Sequence, residues 1–356
     1  MDYAHKETDK LLKALEKRIT QEYRQAKKEI QEKLDDYFKR FATKDKIWRG
    51  WVADGVKTKK QYEQWRIGQM AIGRRWEEQK RIIAQDIENV NQIARNILSE
   101  MLPNIYALNH NYGTYEIEQG AHLDTSYVLY DRDTVEGLFK DGRKLYHDPG
   151  KAVSRRIAAG MEDRWIKQNI QSLILQGIIQ GETIAAIATR IANEVGEQNR
   201  KVAIRNARTI TTGVENKGRI DSYKRANKMG IKTKKQWLAT LDGRTRHYHR
   251  LLDGQVQDVD KPFVVEGEEI MFPGDPDAEG YMVYNCRCTL IADIEGFEND
   301  ARDLSLRNTA NFEESTYDEW REKHGVSQDI LHEEKVAEAL RESYLAEYRR
   351  SRKKKK

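Results

Sequence analysis

Apolar residues recur every three or four positions along the first part of the chain. Leu11, Leu15, Ile19, Tyr23, Ala26, Ile30, Leu34, Tyr37 and Phe41 follow one another at steps of 4, 4, 4, 3, 4, 4, 3 and 4. The mean step of about 3.75 predicts a long amphipathic helix over 8–41, wider in period than a left-handed coiled coil. A lone amphipathic helix is marginal in water, so a partner must cover the stripe. Thr58 and Gln61 have capping-box spacing and predict a second start. The series Tyr62, Trp65, Trp76, Ile83, Ile87, Val90, Ile97 and Met101 continues that helix, and Pro103 predicts its end. Trp48, Trp51, Trp65 and Trp76 fall where the two helices meet. They read either as interhelix packing or as an anchor surface for a protein partner.

Residues 104–150 lose the helical period and predict a looped connector, with a strand at Tyr127–Tyr130 and a helix at Asp133–Phe139. Helical spacing returns over 151–231. It comes as a run with Met161, Trp165, Ile166, Ile170, Leu173 and Ile174, a shorter helix over Glu182–Val195, and a third over Gln198–Met229 closed by Gly230. From 232 to 296 the pattern changes to short strands and turns. QWLATL and CRCTLIADI read as strands, and Asp242-Gly243, Asp253-Gly254 and Pro273-Gly274 as turns. Charged helical sequence and a basic tail fill 297–356. The predicted class is α+β: long N-terminal and central helices (1–103 and 151–231), a small strand-and-turn domain (232–296) and a charged helical tail.

Composition agrees with long solvated helices. The 356 residues are 38% hydrophobic and 34% charged, with a mean hydropathy of −0.87 and only 5 prolines. The net charge of +5 is concentrated at one end. Arg349, Arg350, Arg352, Lys353, Lys354, Lys355 and Lys356 hold seven of the 63 basic residues, and the other 56 stand against 58 acidic ones. Such a tail suits a polyanion through counterion release, or serves as a solubilising end. The opening MDYAHKETDK lacks the apolar core of a signal peptide, and no apolar run is long enough to span a membrane. Two cysteines, Cys286 and Cys288, exclude a disulfide framework and suit a reducing compartment.

The chemistry gathers in 232–296. Asp242, Arg244, Arg246, Asp253, Asn285 and Arg287 are candidates for a polar network that fixes loops, with Arg–carboxylate forks as its strong links. In a strand Cys286 and Cys288 share one face. If His249 packs near that face, one imidazole and two thiols converge. Three readings stay open: buried free thiols acting as small hydrophobes, a structural zinc site of His249, Cys286 and Cys288 with His247 or Asp242 as a fourth ligand, and a Cys–His nucleophile pair. No catalytic residue is assigned.

The order W-x5-D-x-R-T-R-x-x-H-x-x-L-D-G, a Pro-Gly turn and N-C-R-C stands at Trp237, Asp242, Arg244–Arg246, His249, Leu252–Gly254, Pro273-Gly274 and Asn285–Cys288. In this order the chain resembles the Mu F-like head morphogenesis family of tailed-phage minor head proteins. RTITTGVENKGRIDSYKRA at Arg208–Ala226 resembles the segment that precedes the motif. Some relatives carry Cys pairs where this chain has Arg246 and His249 and a His where it has Val283, so the zinc set is incomplete by that pattern.

The resemblance implies a non-enzymatic protein of the virion head interior, assembled in the host cytoplasm. It implies portal, capsid and scaffold proteins as partners, double-stranded DNA bound without sequence preference, a part in packaging or ejection, and no membrane. The alternatives are a metal-dependent hydrolase or nuclease and a toxin-type effector carried in the head. The sixty-odd residues after the motif, which read as charged helix, are fewer than a catalytic domain of usual size needs.

Overall fold

A computed structural model describes residues 2–121, 163–295 and 316–325 of the chain. The elements expected at Tyr127–Tyr130 and Asp133–Phe139, and the tail residues Arg349, Arg350, Arg352 and Lys353–Lys356, lie outside the described residues. The class is α+β. The helices are α1 (Tyr3–Lys39), α2 (Ala42–Ala53), α3 (Lys59–Arg66), α4 (Arg74–Ala121), α5 (Asp163–Ile179) and α6 (Ile184–Lys228). After them come β1 (Thr233–Leu238), α7 (His247–Leu252), β2 (Val256–Asp258), β3 (Phe263–Val265), β4 (Glu268–Ile270), α8 (Gly280–Val283), β5 (Thr289–Ile294) and α9 (Tyr317–Lys323). No helix among the described residues is long and apolar enough to cross a membrane. The chain divides into two compact units, neither of them a continuous stretch: 14–96 with 150–206, and 1–13 with 97–149 and 207–356.

The first unit is a helical core. The α1 stripe buries Leu15, Ile19, Tyr23, Ala26, Ile30, Leu34 and Tyr37, as its period dictates. Its second half meets Met70, Trp76, Ile83 and Ile87, then Ile170, Ile174 and Ile178 of α5, and Ile187, Ile191 and Val195 of α6. Thr58 caps α3 reciprocally with Gln61, at 3.2 and 3.0 Å. The helix starting there does not run on to Met101. A π-helical turn at Ile67–Ala71 and Gly73, with φ +105°, break it before α4. Helix α2 was not expected; it folds beside α3 and separates the tryptophans. Trp48 stacks on Trp65 at 5.4 Å and meets Trp51 edge-on at 5.3 Å. Trp76 is buried elsewhere, 5.4 Å from Tyr37.

Two expected helix boundaries are absent. Helix α4 passes through Pro103 and continues to Ala121, so 104–121 is helix and not connector. A proline inside a helix costs about 3 kcal/mol. Leu98, Leu102, Ile105, Tyr106 and Leu108 are buried on either side of it and offset that loss. The period is lost because 102–114 is buried on every side, so Asn104, Asn109, His110, Asn111 and Thr114 lie inside together with the apolar residues. Helix α6 likewise runs unbroken through Gly196 for 45 residues. A mid-helix glycine costs about 1 kcal/mol, less than the burial of Ile191, Val195 and Ala207 around it returns. Its C-terminus is a Schellman turn: Gly230, at φ +91°, donates to Asn227 O at 3.1 Å, and Ile231 donates to Ala226 O at 3.1 Å.

The second unit holds the strands. An antiparallel sheet of order β2-β1-β5 carries the register Trp237↔Leu290 and Gln236↔Val256. β3 and β4 form a hairpin whose turn, Glu266-Gly267, has positive φ at both residues, as a type I′ turn requires. Trp237, Leu252, Phe263, Ile270, Met282 and Leu290 make the core beneath, joined by Ile117, Ile220 and Tyr223. The residues at 2–8 are fixed by buried polar contacts. His5 Nδ1 lies 2.6 Å from a Glu215 carboxylate oxygen, and Asn109 donates to Thr8 Oγ1 at 2.9 Å.

These buried ions make stability depend on pH. Burial would lower the His5 imidazole, but Glu215 and Asp2 override it and push it up to about 9. Burial pushes the Glu116 carboxyl up to about 8, with Arg219 opposing and Asp2 assisting. Both groups hold protons in the folded chain that the unfolded chain releases earlier, at about 6.5 and 4.5. Their contribution is therefore complete below those values and is lost as pH rises through 8 and 9. Thermal unfolding is expected to show Tm falling by several degrees between pH 6.5 and 9. Glu116→Gln should flatten the lower part of that fall; an unchanged slope would remove Glu116 from the account.

Candidate functional site

The site is built where α6, α7 and the approach to β5 meet. The chain leaves α8 through Asn285, which takes φ +53°, the left-handed conformation that Asn tolerates. That turn sends Cys286-Arg287-Cys288 into β5 with both sulfurs on the inner face. Helix α6 receives this segment on a polar stripe. Thr209 Oγ1 accepts from the Asn285 N–H at 3.2 Å, and Thr212 Oγ1 donates to Cys286 O at 2.9 Å. Asn216 accepts from the Leu290 N–H at 2.7 Å, and Arg219 donates to Leu290 O at 2.9 Å. The Pro273-Gly274 turn presses on the same helix. A Cβ on Gly274, whose φ is +79°, would stand 2.7 Å from Gly213 Cα, so position 274 needs glycine.

His249 comes from α7, a helix of one and a half turns. Its Nε2–H donates to Met282 O at 2.6 Å, because a carbonyl can only accept. Nδ1 then turns its lone pair to the thiols, 3.3 Å from Cys288 Sγ and 3.7 Å from Cys286 Sγ. All three residues are buried. The Cys288 N–H faces Cys286 Sγ at 3.5 Å. The Trp237 indole N–H is buried without an oxygen or nitrogen acceptor and faces Cys288. Burial pushes the Cys286 thiol up, and its neighbour Cys288 adds to the rise. The hydrogen bond from Cys286 holds Cys288 well below the ordinary thiol value against burial, with help from His249 and Trp237.

The polar residues tie loops around this centre. Arg287 holds Asp242 with a two-pronged fork, Nη1 to Oδ2 at 2.6 Å and Nη2 to Oδ1 at 2.8 Å. The fork and the Arg244 N–H keep the Asp242 carboxyl well below the usual carboxylate range. Asp253 accepts from the Ala239 N–H at 2.9 Å, and Arg246 donates to Tyr284 O. Asn285 Oδ1 lies 3.5 Å from Arg208 Nη1. Arg244 is largely exposed: its guanidinium lies 3.6 Å from Asp242 Oδ2, and its backbone N–H closes the Asp242 turn at 2.8 Å. Neither proposed fourth ligand reaches the thiols. His247 is exposed and 3.0 Å from Glu266, and Asp242 is occupied by Arg287.

Reading the sequence missed the α6 stripe as part of the site. Its signal was present: Thr209, Thr212, Asn216 and Arg219 recur at steps of 3, 4 and 3, one helical face with no aliphatic residue on it. Arg219 is its most heavily engaged member. Fully buried, it lies 2.7 Å from Asp2 and 3.8 Å from Glu116, and donates to Asn109 at 3.2 Å.

Three comparisons bear on this arrangement. Residues 168–291, which include the α6 stripe and the whole His–Cys centre, match the family described as Phage Mu protein F like protein. The minor head protein GP7 of Bacillus phage SPP1 is 26% identical over 326 residues, 90% of this chain and 96% of that protein. The NAD(+)--arginine ADP-ribosyltransferase EFV of Enterococcus faecalis is 32% identical over 207 residues, 58% of this chain. The chain spans only 40% of that transferase's length. No solved structure matches the chain.

Proposed function

From the match of residues 168–291 to the family described as Phage Mu protein F like protein, we propose that this chain is a minor head protein with a structural part in phage head morphogenesis. The observation that carries the reading is the alignment with a minor head protein along 96% of that protein's length. The shared stretch with the transferase takes in less than half of it, so the reading takes from that relative the common module alone. The place of action is the virion head, reached during assembly in the host cytoplasm.

Within this role the helices dock on portal, capsid or scaffold proteins, and α2 and α3 offer the surface. Ile47 is 47% exposed, Trp51 40% and Val56 62%, beside the half-buried indoles of Trp48 and Trp65. Clustered, partly exposed tryptophans are the residue type that dominates binding energy at protein interfaces. The seven cations at Arg349, Arg350, Arg352 and Lys353–Lys356 bind packaged double-stranded DNA through charge alone.

Co-expression with the portal, capsid and scaffold proteins of the same phage tests this. The chain is expected to co-purify with at least one of them, and the double variant Trp48→Ala, Trp51→Ala to weaken that recovery by about tenfold or more. DNA retention by the purified chain should fall steeply with salt, and deleting 349–356 should remove most of that dependence. Failure to co-purify with every head protein would overturn the reading.

A further inference from the structure

We propose that His249 Nδ1, Cys286 Sγ and Cys288 Sγ together hold one zinc ion, which cross-links α7 to the head of β5. The inference rests on the geometry of these residues and stands apart from the proposed role in phage heads.

Spacing is the first support. With zinc bonds of about 2.3 Å to sulfur and about 2.0–2.1 Å to nitrogen, tetrahedral donors stand roughly 3.5–3.8 Å apart. Nδ1 lies 3.7 and 3.3 Å from the two sulfurs, and the three donor atoms all lie within 4.8 Å of one another. Small side-chain rotations suffice to seat an ion.

The imidazole is the second. Its outer nitrogen is already committed to Met282 O at 2.6 Å, so the inner one is the unprotonated ligand atom. Metal-bound histidines are oriented by this kind of outer contact.

The third is the set of N–H donors turned toward sulfur. The Trp237 indole N–H is buried with no nitrogen or oxygen acceptor and faces Cys288, and the Cys288 N–H lies 3.5 Å from Cys286 Sγ. A thiolate accepts more strongly than a thiol, so these donors favour the form of sulfur that binds zinc, with the thiol protons released to solvent.

Two soft thiolates with an imidazole select zinc over magnesium or calcium. Among the described residues no further His, Cys or carboxylate joins the three. A water is therefore assigned the fourth position. All three ligands are buried, which suits a cross-link between α7 and the head of β5. The ion would fix the turn that carries Arg287 and, through it, the Asp242 loop.

Elemental analysis of the full chain, purified under reducing conditions without chelator, is expected to find one zinc per chain. Stripping the metal should lower Tm, and re-adding zinc should restore it. Cobalt(II) added to the stripped protein should develop the intense thiolate-to-cobalt absorption of a two-sulfur site. Cys286→Ser and His249→Gln should each weaken zinc binding by more than about tenfold. The cobalt and zinc additions use the unaltered chain, so a variant that misfolds leaves the test intact. A folded wild-type chain that neither retains zinc nor gives the cobalt band overturns the proposal. So does stoichiometric zinc that persists in both variants, or stoichiometric copper or iron in place of zinc.

Discussion

Arg219→Ala is expected to destabilise the fold by about 3–5 kcal/mol, a large part of the roughly 5–15 kcal/mol that holds a typical domain. The guanidinium is fully buried and meets Asp2, Glu116, Asn109 and Leu290 O at once. Removing it strands two largely buried carboxyls, 12% and 11% exposed, and a buried carbonyl. Much of the cost lies in those orphaned groups and not in the lost attraction. The triple variant Arg219→Met, Asp2→Asn, Glu116→Gln should therefore recover a good part of the stability, although it restores no ion pair. Chemical denaturation of the three proteins decides the matter. A loss under about 1 kcal/mol for Arg219→Ala would mean that solvent reaches the cluster.

Trp237→Ala should cost a comparable about 3–5 kcal/mol, for a different reason. The side chain is fully buried, 5.4 Å from the Phe263 ring and 5.8 Å from the His249 ring. Its deletion opens a void at the centre of the strand unit, which rigid neighbours refill poorly. Trp237→Phe keeps part of the bulk but removes the N–H that faces Cys288, and isolates the polar share of the effect. Trp51→Ala serves as the control. That indole is partly exposed, so stability should move by less than about 1 kcal/mol. Equal losses for Trp237→Ala and Trp51→Ala would falsify the assignment of a packed core beneath β1.

The elements legible in the sequence were those whose inward face is aliphatic. Helix α1 declared itself because Leu15, Ile19, Ile30 and Leu34 repeat on one stripe, and β5 because LIADI is a buried apolar run. Capping chemistry was equally plain, since Thr58 and Gln61 need only local geometry. What hid was structure held by polar atoms. From 102 to 114 α4 is buried all round, with Asn, His and Thr among its buried residues, so no hydrophobic period marks it, and Pro103 pointed the wrong way. Gly196 pointed the wrong way in α6, because local propensity cannot register packing by residues far off in the chain.

Of the candidate site, the motif order brought His249 to Cys286 and Cys288, and Asp242 to Arg287. It did not reveal that Arg244 would be the exposed partner of Asp242, at 3.6 Å, while Arg287 forks the same carboxylate at 2.6 and 2.8 Å. Nor did it reveal Thr212, Asn216 and Arg219 as the bed for the CRC segment: their polar face was readable, but the main-chain atoms they hold leave no residue type to pair it with.

That bed bears on how copies of this chain behave when crowded. The terminal strand of a sheet ordinarily offers bare amide groups on which another chain can extend the ladder. Here the outward N–H and C=O of Leu290 are already taken by Asn216 and Arg219, and the opposite border, β2, is three residues long. At Leu290 the border is thus closed to another strand by a helix, and association between molecules there is left to side-chain surfaces, where it can be selective.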